Sequence, residues 1–287
     1  MNIALIILAA GKGTRMQSEL PKVLHEVAGA PMLVHAMRAG RALDPKRTII
    51  IAGHGFEAVS AAARAEDPEV EVVRQEAQLG TGHAVDQARA ALSDFDGTVI
   101  VLYGDCPLIQ SRTLEELSAT LSDSAVSVLG FEAKDPARYG RLITDGDKLK
   151  RIVEFKDASP AERAVSLCNS GVMAASAGLL FDLLSEIDAN NASGELYLTD
   201  VIGKAVARGL PCTAVRCAER ETLGVNSRVE LMQAEKEFQN LRRTEALEDG
   251  VTMPAPETVH FSYDTVIGRD TIIEQNVVFG PGVTVES

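Results

Sequence analysis

Three cationic side chains and two glycines follow the first apolar run of the sequence. Lys12, Arg15 and Lys22 fall within eleven residues of a 287-residue chain whose formal net charge is -13. Gly11 and Gly13 allow the backbone to turn sharply and to approach a ligand closely. Consecutive amides in such a turn can form an anion-binding concavity. Bare main chain beside concentrated positive charge indicates a phosphate site, which we interpret as one for a nucleoside triphosphate.

The run before this stretch has the length and composition of a buried strand. Residues 3–8 are wholly apolar, as is typical of a strand covered on both faces of a parallel sheet. The phosphate stretch therefore follows the carboxyl end of a strand, where α/β proteins bind such groups.

Two common phosphate motifs are excluded by their spacing. The dinucleotide fingerprint requires a third glycine where this chain has Met16, and neither Gly11-Lys12 nor Gly203-Lys204 is followed by the Ser or Thr of a Walker loop. For the glycines alone, a turn carrying solvated charges remains the alternative.

The whole string from Leu8 to Met16, with the following Leu20-Pro21-Lys22, resembles the signature of sugar-nucleotide pyrophosphorylases. Its continuation to His25 is similar to the amino-terminal half of the bacterial bifunctional N-acetylglucosamine-1-phosphate uridyltransferase/glucosamine-1-phosphate acetyltransferases. Other segments that match this family are 78–84, 103–105, 139–141, 194–200 and 224–226. The resemblance spans essentially the whole chain.

The resemblance implies a nucleotidyltransferase that makes UDP-N-acetylglucosamine and pyrophosphate from UTP and N-acetylglucosamine-1-phosphate, for peptidoglycan and lipopolysaccharide precursors. It implies a Mg²⁺-dependent attack on the α-phosphorus of UTP. Asp105, placed after a predicted strand, is the expected first metal ligand, and Asn226 the second by resemblance. Arg15 and Lys22 are expected to neutralise the phosphates. Taken alone, Asp105 is equally a turn residue, Asn226 a helix cap, and Lys22 a surface charge.

The resemblance also divides the substrate contacts into two groups. The uracil side comprises Gln75, Gly80, Thr81 and the main chain of Leu8, Ala9, Ala10 and Gly11. The sugar side comprises Tyr103, Gly104, Gly140, Glu154, Asn169, Tyr197 and Thr199. A carboxylate such as that of Glu154 can accept hydrogen bonds from two neighbouring sugar hydroxyls, although an exposed glutamate is its ordinary alternative.

No histidine is needed as a general base, because a phosphate oxygen is already ionised at neutral pH. We interpret His25, His35, His54 and His83 as structural. The chain departs from the family pattern at Cys106, Ser170 and Leu196, which leaves sugar affinity open but not the reaction class.

The order of predicted elements favours a doubly wound, mostly parallel, Rossmann-like sheet. Strands are expected at 48–53, 70–74 and 98–103, and helices at 32–40, 56–65 and 83–92, with a Thr113-x-x-Glu116 capping box opening the next helix. Gly11, Gln75, Gly80 and Asp105 then share the carboxyl edge of the sheet. Residues 124–175 are expected to form an antiparallel insertion that folds over it on the sugar side.

The final third of the chain changes character. Residues 227–247 predict one long helix with an apolar stripe at Leu231, Ala234 and Phe238. The tail repeats every six residues, which is typical of a β-helix, and the resembling family has a left-handed one. We therefore expect a uridyltransferase domain at 1–226, a linker helix at 227–247 and a short β-helix start at 248–287. So short a solenoid predicts no acetyltransferase activity.

The composition excludes several partners. An acidic chain argues against nucleic-acid and anionic-membrane binding, and no apolar run approaches the ~20 residues of a membrane helix. Its beginning predicts a strand rather than a signal peptide. The four cysteines have no metal-binding spacing, so we expect reduced thiols in a cytoplasmic protein. The resembling family is homotrimeric through its β-helix, which leaves the oligomeric state of this chain open.

Three rival interpretations remain at this point. One is a pyrophosphorylase for another pair, such as glucose-1-phosphate with dTTP or UTP. Another is an inactive sugar-nucleotide-sensing subunit, which should have lost Arg15, Lys22 or Asp105. The third is an assembly protein built on the tail, which leaves the cationic loop unexplained.

Overall fold

The computed structural model describes residues 2–146 and 148–286; residues 1, 147 and 287, which fall within the expected domains, lie outside the described residues. The strands, in chain order, are β1 (Ile3–Ala9), β2 (Glu26–Val27), β3 (Ala30–Pro31), β4 (Arg47–Ala52), β5 (Glu71–Arg74), β6 (Thr98–Tyr103), β7 (Val126–Glu132), β8 (Arg141–Asp145), β9 (Lys148–Val153), β10 (Leu167–Ser176), β11 (Cys212–Cys217), β12 (Val266–Ile267) and β13 (Thr284–Val285). The helices are α1 (Met32–Arg41), α2 (Phe56–Glu66), α3 (Thr81–Asp86), α4 (Ser111–Ala119), α5 (Pro160–Arg163), α6 (Ala177–Leu184), α7 (Asp200–Ala207) and α8 (Arg228–Glu248).

The central sheet is parallel in one half and mixed in the other. Within the described residues it has nine strands in the order β5-β4-β1-β6-β10-β7-β11-β9-β8. The four strands from β5 to β6 run parallel, whereas β10 is antiparallel to both β6 and β7. The Rossmann-like prediction is confirmed in the first half, where helices alternate with strands.

The strand before the glycine turn is buried on both faces, as its apolar run predicts. Every residue of β1 is buried. Alternate side chains of this strand belong to different apolar clusters, with Leu5 and Ile7 on one face and Ile6 and Leu8 on the other. Helices cover both faces, so the turn that follows β1 is anchored in the middle of the fold.

The strand ends align at one edge of the parallel half. In register, Leu8 of β1 lies opposite Tyr103 of β6, and Ala52 of β4 lies opposite Arg74 of β5. Backbone hydrogen bonds extend this ladder past the strands, from Gly104 N to Leu8 O at 2.9 Å and from Gln75 N to Ala52 O at 2.8 Å. The residues expected to bind the nucleotide therefore leave the sheet side by side.

Three local predictions are wrong. Strands β7 to β10 join the central sheet rather than folding over it as an insertion, since their apolar side chains complete the same core. Helix α3 begins at Thr81 and ends at Asp86, after which the backbone bonds tighten to three-residue spacing. Thr113 is not a cap but lies inside α4, where its buried hydroxyl donates to Glu221 Oε2 at 2.6 Å.

The long helix α8 packs as its apolar stripe predicts. Ala234 is buried, and Leu231 and Phe238 pack beside it on the β2–β3 hairpin and its surroundings. Beyond α8, parallel pairs join Thr252 to Ile272 and His260 to Val278, while β12 pairs with β13. Successive layers of the tail thus lie 18 to 20 residues apart, about three of the six-residue repeats seen in the sequence.

Candidate active site at the carboxyl edge of the sheet

A cavity of about 330 Å³ opens where β1, β5 and β6 end. Several of its lining residues are alanine or glycine, so the turns that follow the strands bring their main chain close to the cavity. The predicted residues that line it are Leu8, Ala9, Ala10, Gly11, Lys22, Gln75, Gly80, Thr81, Tyr103 and Asp105. Val23, Gln78, Ala84 and Glu195 also line it and were not predicted, although Gln78, Ala84 and Glu195 fall in segments that carry the family resemblance.

The end of the cavity beside β5 presents a fixed amide. Gln75 is 4% exposed, and its Nε2 donates to Gly80 O at 3.3 Å and lies 2.9 Å from His83 Nδ1. His83 thus contacts the amide of Gln75, one of the predicted uracil-side residues. Gln78 lines the same end of the cavity, and its Nε2 donates to Ala10 O at 2.6 Å. Oriented amide groups of this kind suit the edge of a nucleobase.

Gly80 is required by both its backbone and its surroundings. Its φ is +115°, and a Cβ at this position would lie 2.5 Å from Leu196 O. The chain after β5 can therefore run against residues 195–196 only if the side chain is a hydrogen atom. This contact joins the 78–84 and 194–200 segments, which sequence reasoning had matched separately.

The signature loop brings Lys22, but not Arg15, to the cavity. Gly13 has a φ of +61°, and a Cβ there would lie 2.6 Å from Lys22 Cβ, so the glycine turn packs directly on the lysine. Arg15 is exposed on a short 3-10 turn and lies outside the lining of the cavity. The structure therefore places Lys22, and not Arg15, at the cavity, and the neutralisation of phosphates by either residue stays a prediction.

Lys22, Asp105 and Asn226 meet although they are far apart in sequence. The Lys22 ammonium donates to Asp105 Oδ2 and, at 3.0 Å, to Asn226 Oδ1. The ion pair between Lys22 and Asp105 is largely shielded from solvent, since the two side chains are 13% and 15% exposed. A hydrogen bond from Val225 N to Asp105 O, at 2.9 Å, ties the two backbone segments together. We call these three side chains the cation cluster.

Asn226 is not the cap of α8. Ser227 occupies that position, and its Oγ accepts from Glu230 N at 3.3 Å. The backbone of Asn226 is held by Glu230, whose Oε2 accepts from Asn226 N at 2.7 Å. The side chain of Asn226 is therefore available to accept a hydrogen bond from Lys22. The alternative that Asn226 caps α8 is wrong.

The cation cluster also fits a divalent metal. A carboxylate oxygen of Asp105 and an amide oxygen of Asn226 converge on one positive charge, the Lys22 ammonium. Carboxylate and amide oxygens are ligands that Mg²⁺ accepts, with waters and substrate phosphates completing its shell. Among residues 2–146 and 148–286 no group of three or more His, Cys, Asp or Glu could hold a metal, so the fit depends on this mixed pair.

The predicted sugar contacts form a second group, which we call the sugar-side network. Thr199 Oγ1 donates to Glu154 Oε1 at 3.1 Å. A Cβ on Gly140 would lie 3.4 Å from both carboxylate oxygens of Glu154, and Asn169 N donates to Gly140 O at 2.8 Å. Burial raises the pKa of Glu154, and its hydrogen bond with Thr199 opposes that rise. The network is therefore a partly desolvated carboxylate among hydrogen-bonding groups.

Tyr103 connects the two halves of the site. It lines the cavity, and a Cβ on Gly171 would lie 2.5 Å from its ring, so the ring packs against the β10 bulge that carries Asn169. Burial, and then the negative charge of Glu154, raise the pKa of Tyr103, which keeps its hydroxyl neutral. Gly104 is buried beside Leu8, whereas Tyr197 is half-buried and lies outside the lining of the cavity.

The structure describes the surroundings of the other histidines and of the cysteines, whereas the structural role predicted for the exposed His54 stays a prediction. His25 is buried, and desolvation and Arg228 lower its pKa; His35 Nε2 lies 2.8 Å from Val27 O. Cys106, Cys168, Cys212 and Cys217 are free, and burial raises the pKa of Cys212 to about 11.

Among the described residues, no helix is both long enough and apolar enough to span a membrane.

The family model for the MobA-like NTP transferase domain matches residues 5–178, which is more than half of the chain. Among curated relatives, the bifunctional protein GlmU of Roseobacter denitrificans is 60% identical over 280 residues, covering 98% of this chain and 62% of the relative. The protein of the same name from Ruegeria sp. strain TM1040 is 62% identical over 270 residues, covering 94% and 60%. These matches confirm the family resemblance drawn from the sequence. The chain spans about three fifths of the length of these relatives.

Solved structures share the fold at low identity. A UDP-glucose pyrophosphorylase in complex with UDP-glucose superposes with a TM-score of 0.68 at 17% identity, covering 84% of this chain and all of that one. A putative glucose-1-phosphate thymidylyltransferase from Bacillus anthracis gives 0.65 at 24% identity, covering 82% and 94%. These likenesses establish the α/β nucleotidyltransferase-type fold.

Proposed function

This chain belongs to the family of MobA-like NTP transferase domains, and we propose that it transfers UMP from UTP to N-acetylglucosamine-1-phosphate. The products are UDP-N-acetylglucosamine and pyrophosphate. The observation that carries the proposal is the cation cluster, in which Lys22, Asp105 and Asn226 converge, the first two lining the cavity at the carboxyl edge of the sheet. Relatives named bifunctional protein GlmU, about 60% identical over nearly the whole chain, support the same assignment.

In the proposed reaction, an oxygen of the sugar phosphate attacks the α-phosphorus of UTP. A new phosphorus–oxygen bond forms as the bond from the α-phosphorus to the bridging oxygen breaks, and pyrophosphate leaves. The attacking oxygen is already ionised, so no proton has to be removed. The protein has to align the two oxygens and neutralise the accumulating negative charge. Lys22 can do both, since its ammonium is held at the edge of the cavity.

We assign Asp105 and Asn226 to a divalent metal, which we propose to be Mg²⁺. When bound, such an ion supplies positive charge to the phosphate oxygens in the transition state. The side chain of Asp105 also holds Lys22 at the cavity edge, and Val225 N fixes the Asp105 backbone. Arg15 is proposed to reach the phosphates from its exposed turn.

Recognition is proposed to divide between the two halves of the site. Gln75, Gly80, Thr81 and the main chain of residues 8–11 bind the uracil nucleotide, because they present fixed amides and carbonyls to the cavity. Tyr103, Gly104, Gly140, Glu154, Asn169, Tyr197 and Thr199 bind the sugar phosphate. The Glu154 carboxylate accepts hydrogen bonds from sugar hydroxyls.

The division into domains is also a proposal. We propose a uridyltransferase domain at 1–226, a linker helix at 227–247 and the start of a left-handed parallel β-helix at 248–287. The parallel pairs spaced 18 to 20 residues apart in the tail support the last of these. We propose a cytoplasmic location, with which four free thiols agree, and no acetyltransferase activity for this chain. A trimer is the state proposed for the longer relatives.

The experiment is an assay of pyrophosphate release from UTP and N-acetylglucosamine-1-phosphate, with and without Mg²⁺. The proposal expects metal-dependent release that strongly prefers the acetylated sugar. Glucose-1-phosphate and dTTP serve as competing substrates, and a preference for either would replace the assigned sugar or base while keeping the reaction class. No release from any pair would favour a sensing role and reject the proposal. Acetyl transfer from acetyl-CoA to glucosamine-1-phosphate would reject the claim about the tail.

A further inference from the structure

Arg141 is a buried charge whose hydrogen bonds, among the described residues, go to carbonyl groups rather than carboxylates, and its guanidinium also lies 6.0 Å from the ring centroid of Phe155. It is 1% exposed and is one of the largest fully buried side chains. Its Nη2 donates to Ala137 O at 3.2 Å and to Arg163 O at 3.3 Å, and its Nη1 donates to Tyr139 O. Burying a charge is costly unless the site provides strong hydrogen bonds in return. The hydrogen bonds of Arg141 can hold a backbone conformation that an apolar side chain at this position could not hold.

The carbonyls it holds belong to the segment that ends at Gly140. Arg141 is the first residue of β8, so its guanidinium folds back over the residues just before it. Ala137 has a φ of +38°, a conformation that non-glycine residues rarely adopt, and its carbonyl is one of the acceptors. The guanidinium therefore fixes the backbone conformation that presents Gly140.

Gly140 contacts the carboxylate of the sugar-side network. A Cβ there would lie 3.4 Å from each oxygen of Glu154, and Gly140 O accepts from Asn169 N at 2.8 Å. A shift of a few tenths of an ångström in residues 137–140 would change the space beside Glu154 and the position of Asn169. This is one route by which Arg141 acts on the network.

A second route runs through the other acceptor. Arg163, whose carbonyl Arg141 holds, lies with its guanidinium 4.6 Å from the ring centroid of Phe155 and donates from Nε to Phe155 O at 3.3 Å. Phe155 is the residue after Glu154. Arg141 is thus connected to both sides of Glu154, through Gly140 and through Phe155.

We propose that Arg141 is a positioning residue for sugar-phosphate binding, which it controls through Gly140 and Glu154 without touching the substrate. The inference rests on the proposed function of the same site. Lysine cannot replace it, because one ammonium lacks the planar set of donors that reaches three carbonyls at once. The base side of the cavity, built from residues 8–11, 75 and 80–81, is independent of these contacts.

The test compares Arg141→Lys and Arg141→Gln with the matched control Gln239→Leu. Gln239 is also buried and also bonds to backbone, donating to Phe261 O at 2.7 Å and accepting from Phe261 N at 2.8 Å, but it joins α8 to the tail. For the arginine variants we expect the KM for N-acetylglucosamine-1-phosphate to rise about tenfold or more, with the KM for UTP within about twofold. For Gln239→Leu we expect a lower unfolding temperature and both KM values unchanged.

Two kinetic outcomes would overturn the inference. One is an arginine variant that loses stability yet keeps the sugar-phosphate KM of the wild type. The other is an equal rise in both KM values. Amide hydrogen exchange in residues 136–141 gives a readout that needs no substrate: exchange should be faster in Arg141→Lys than in the wild type, and unchanged exchange also rejects the proposal. A wild-type chain that releases no pyrophosphate, combined with faster exchange in the variant, rejects the proposed function and leaves the local role of Arg141 standing.

Discussion

The two halves of the candidate site are built from different parts of the chain. Beside β1 and β5 the cavity is lined by residues 8–11 and 80–81, most of them alanine or glycine, whose small side chains leave the main chain close to the cavity, together with the buried Gln75. Beside β10, the sugar-side network brings together residues of separate elements: Thr199 Oγ1 donates to Glu154 Oε1 at 3.1 Å, and Asn169 N donates at 2.8 Å to the carbonyl of Gly140, which lies against the Glu154 carboxylate.

This difference determines how each half should respond to substitution. A main-chain wall is insensitive to side-chain chemistry but sensitive to any atom that pushes the backbone, as at Gly80. A side-chain network is sensitive to the chemistry of each group. The two halves should therefore separate in kinetics, with variants of one changing the KM for UTP and variants of the other the KM for the sugar phosphate.

The largest effect is expected at the cation cluster. Lys22→Ala removes the charge at the cavity edge, and Asp105→Asn removes the carboxylate that orients it. Each should lower kcat by about a hundredfold to a thousandfold, with an unfolding midpoint near that of the wild type. Lys46→Ala, an exposed cation just before the amino end of β4, is the control and should stay within a few-fold. Near wild-type turnover in either cluster variant would remove the cation cluster from the mechanism.

The next largest effect should be confined to the uracil side of the site. Gly80→Ala places a methyl group 2.5 Å from Leu196 O at a φ of +115°, so residues 79–81 must move. We expect the KM for UTP to rise about tenfold and stability to fall by roughly 1–3 kcal/mol, with little change in the sugar-phosphate KM. The control is Gly203→Ala, where the added carbon meets nothing within 4 Å. If both KM values rise together, the two halves are not separable.

A similar or smaller effect should be confined to the sugar-side network. Glu154→Gln keeps the shape of the side chain but removes its charge, which weakens hydrogen bonds from sugar hydroxyls by about 1–1.5 kcal/mol in total. We expect roughly a tenfold rise in the sugar-phosphate KM and no change for UTP, measured in the same two-substrate assay. Glu115→Gln, on the exposed face of α4, is the matched control. An unchanged sugar-phosphate KM would place Glu154 outside the site.

The smallest effect is on stability and depends on pH. Burial raises the pKa of Glu154 in the folded chain, so folding favours its protonated form. Its contribution to stability is fully present below the ordinary carboxyl pKa of about 4.3 and is lost as pH rises through the raised value. Glu154→Gln should therefore melt a few degrees above the wild type near pH 7, and this advantage should vanish near pH 4. An advantage that is constant with pH contradicts the linkage.

Sequence reasoning reached the base half more completely than the sugar half. A strand followed by a glycine turn fixes where residues 8–11 and Asp105 lie, because parallel strands end at a common edge. The sugar-side network depends on which strands join the sheet and in what register, and that is a long-range property. The strands after residue 124 extend the sheet, although their pattern was interpreted as a separate insertion.

Individual residues show the same limit. The contact of Asn226 with Lys22, 204 positions apart, follows from the path of the whole chain, so only family resemblance could anticipate it. Thr113 looked like a cap from spacing alone, but its hydroxyl is used by the distant Glu221. Arg141 falls in the 139–141 segment that matches the family, but its role could not be predicted from the sequence, because that role depends on burial and on three carbonyls that only the fold brings together.

The most direct test of two separable halves is calorimetric titration of UDP and of UDP-N-acetylglucosamine into the wild type and Glu154→Gln. The sugar should add affinity in the wild type beyond that of UDP. In the variant, UDP should bind within about twofold of its wild-type affinity, while UDP-N-acetylglucosamine should bind roughly tenfold more weakly, a difference of about 1.4 kcal/mol. Equal weakening of both ligands, or of neither, would contradict a site divided between main chain and side-chain network.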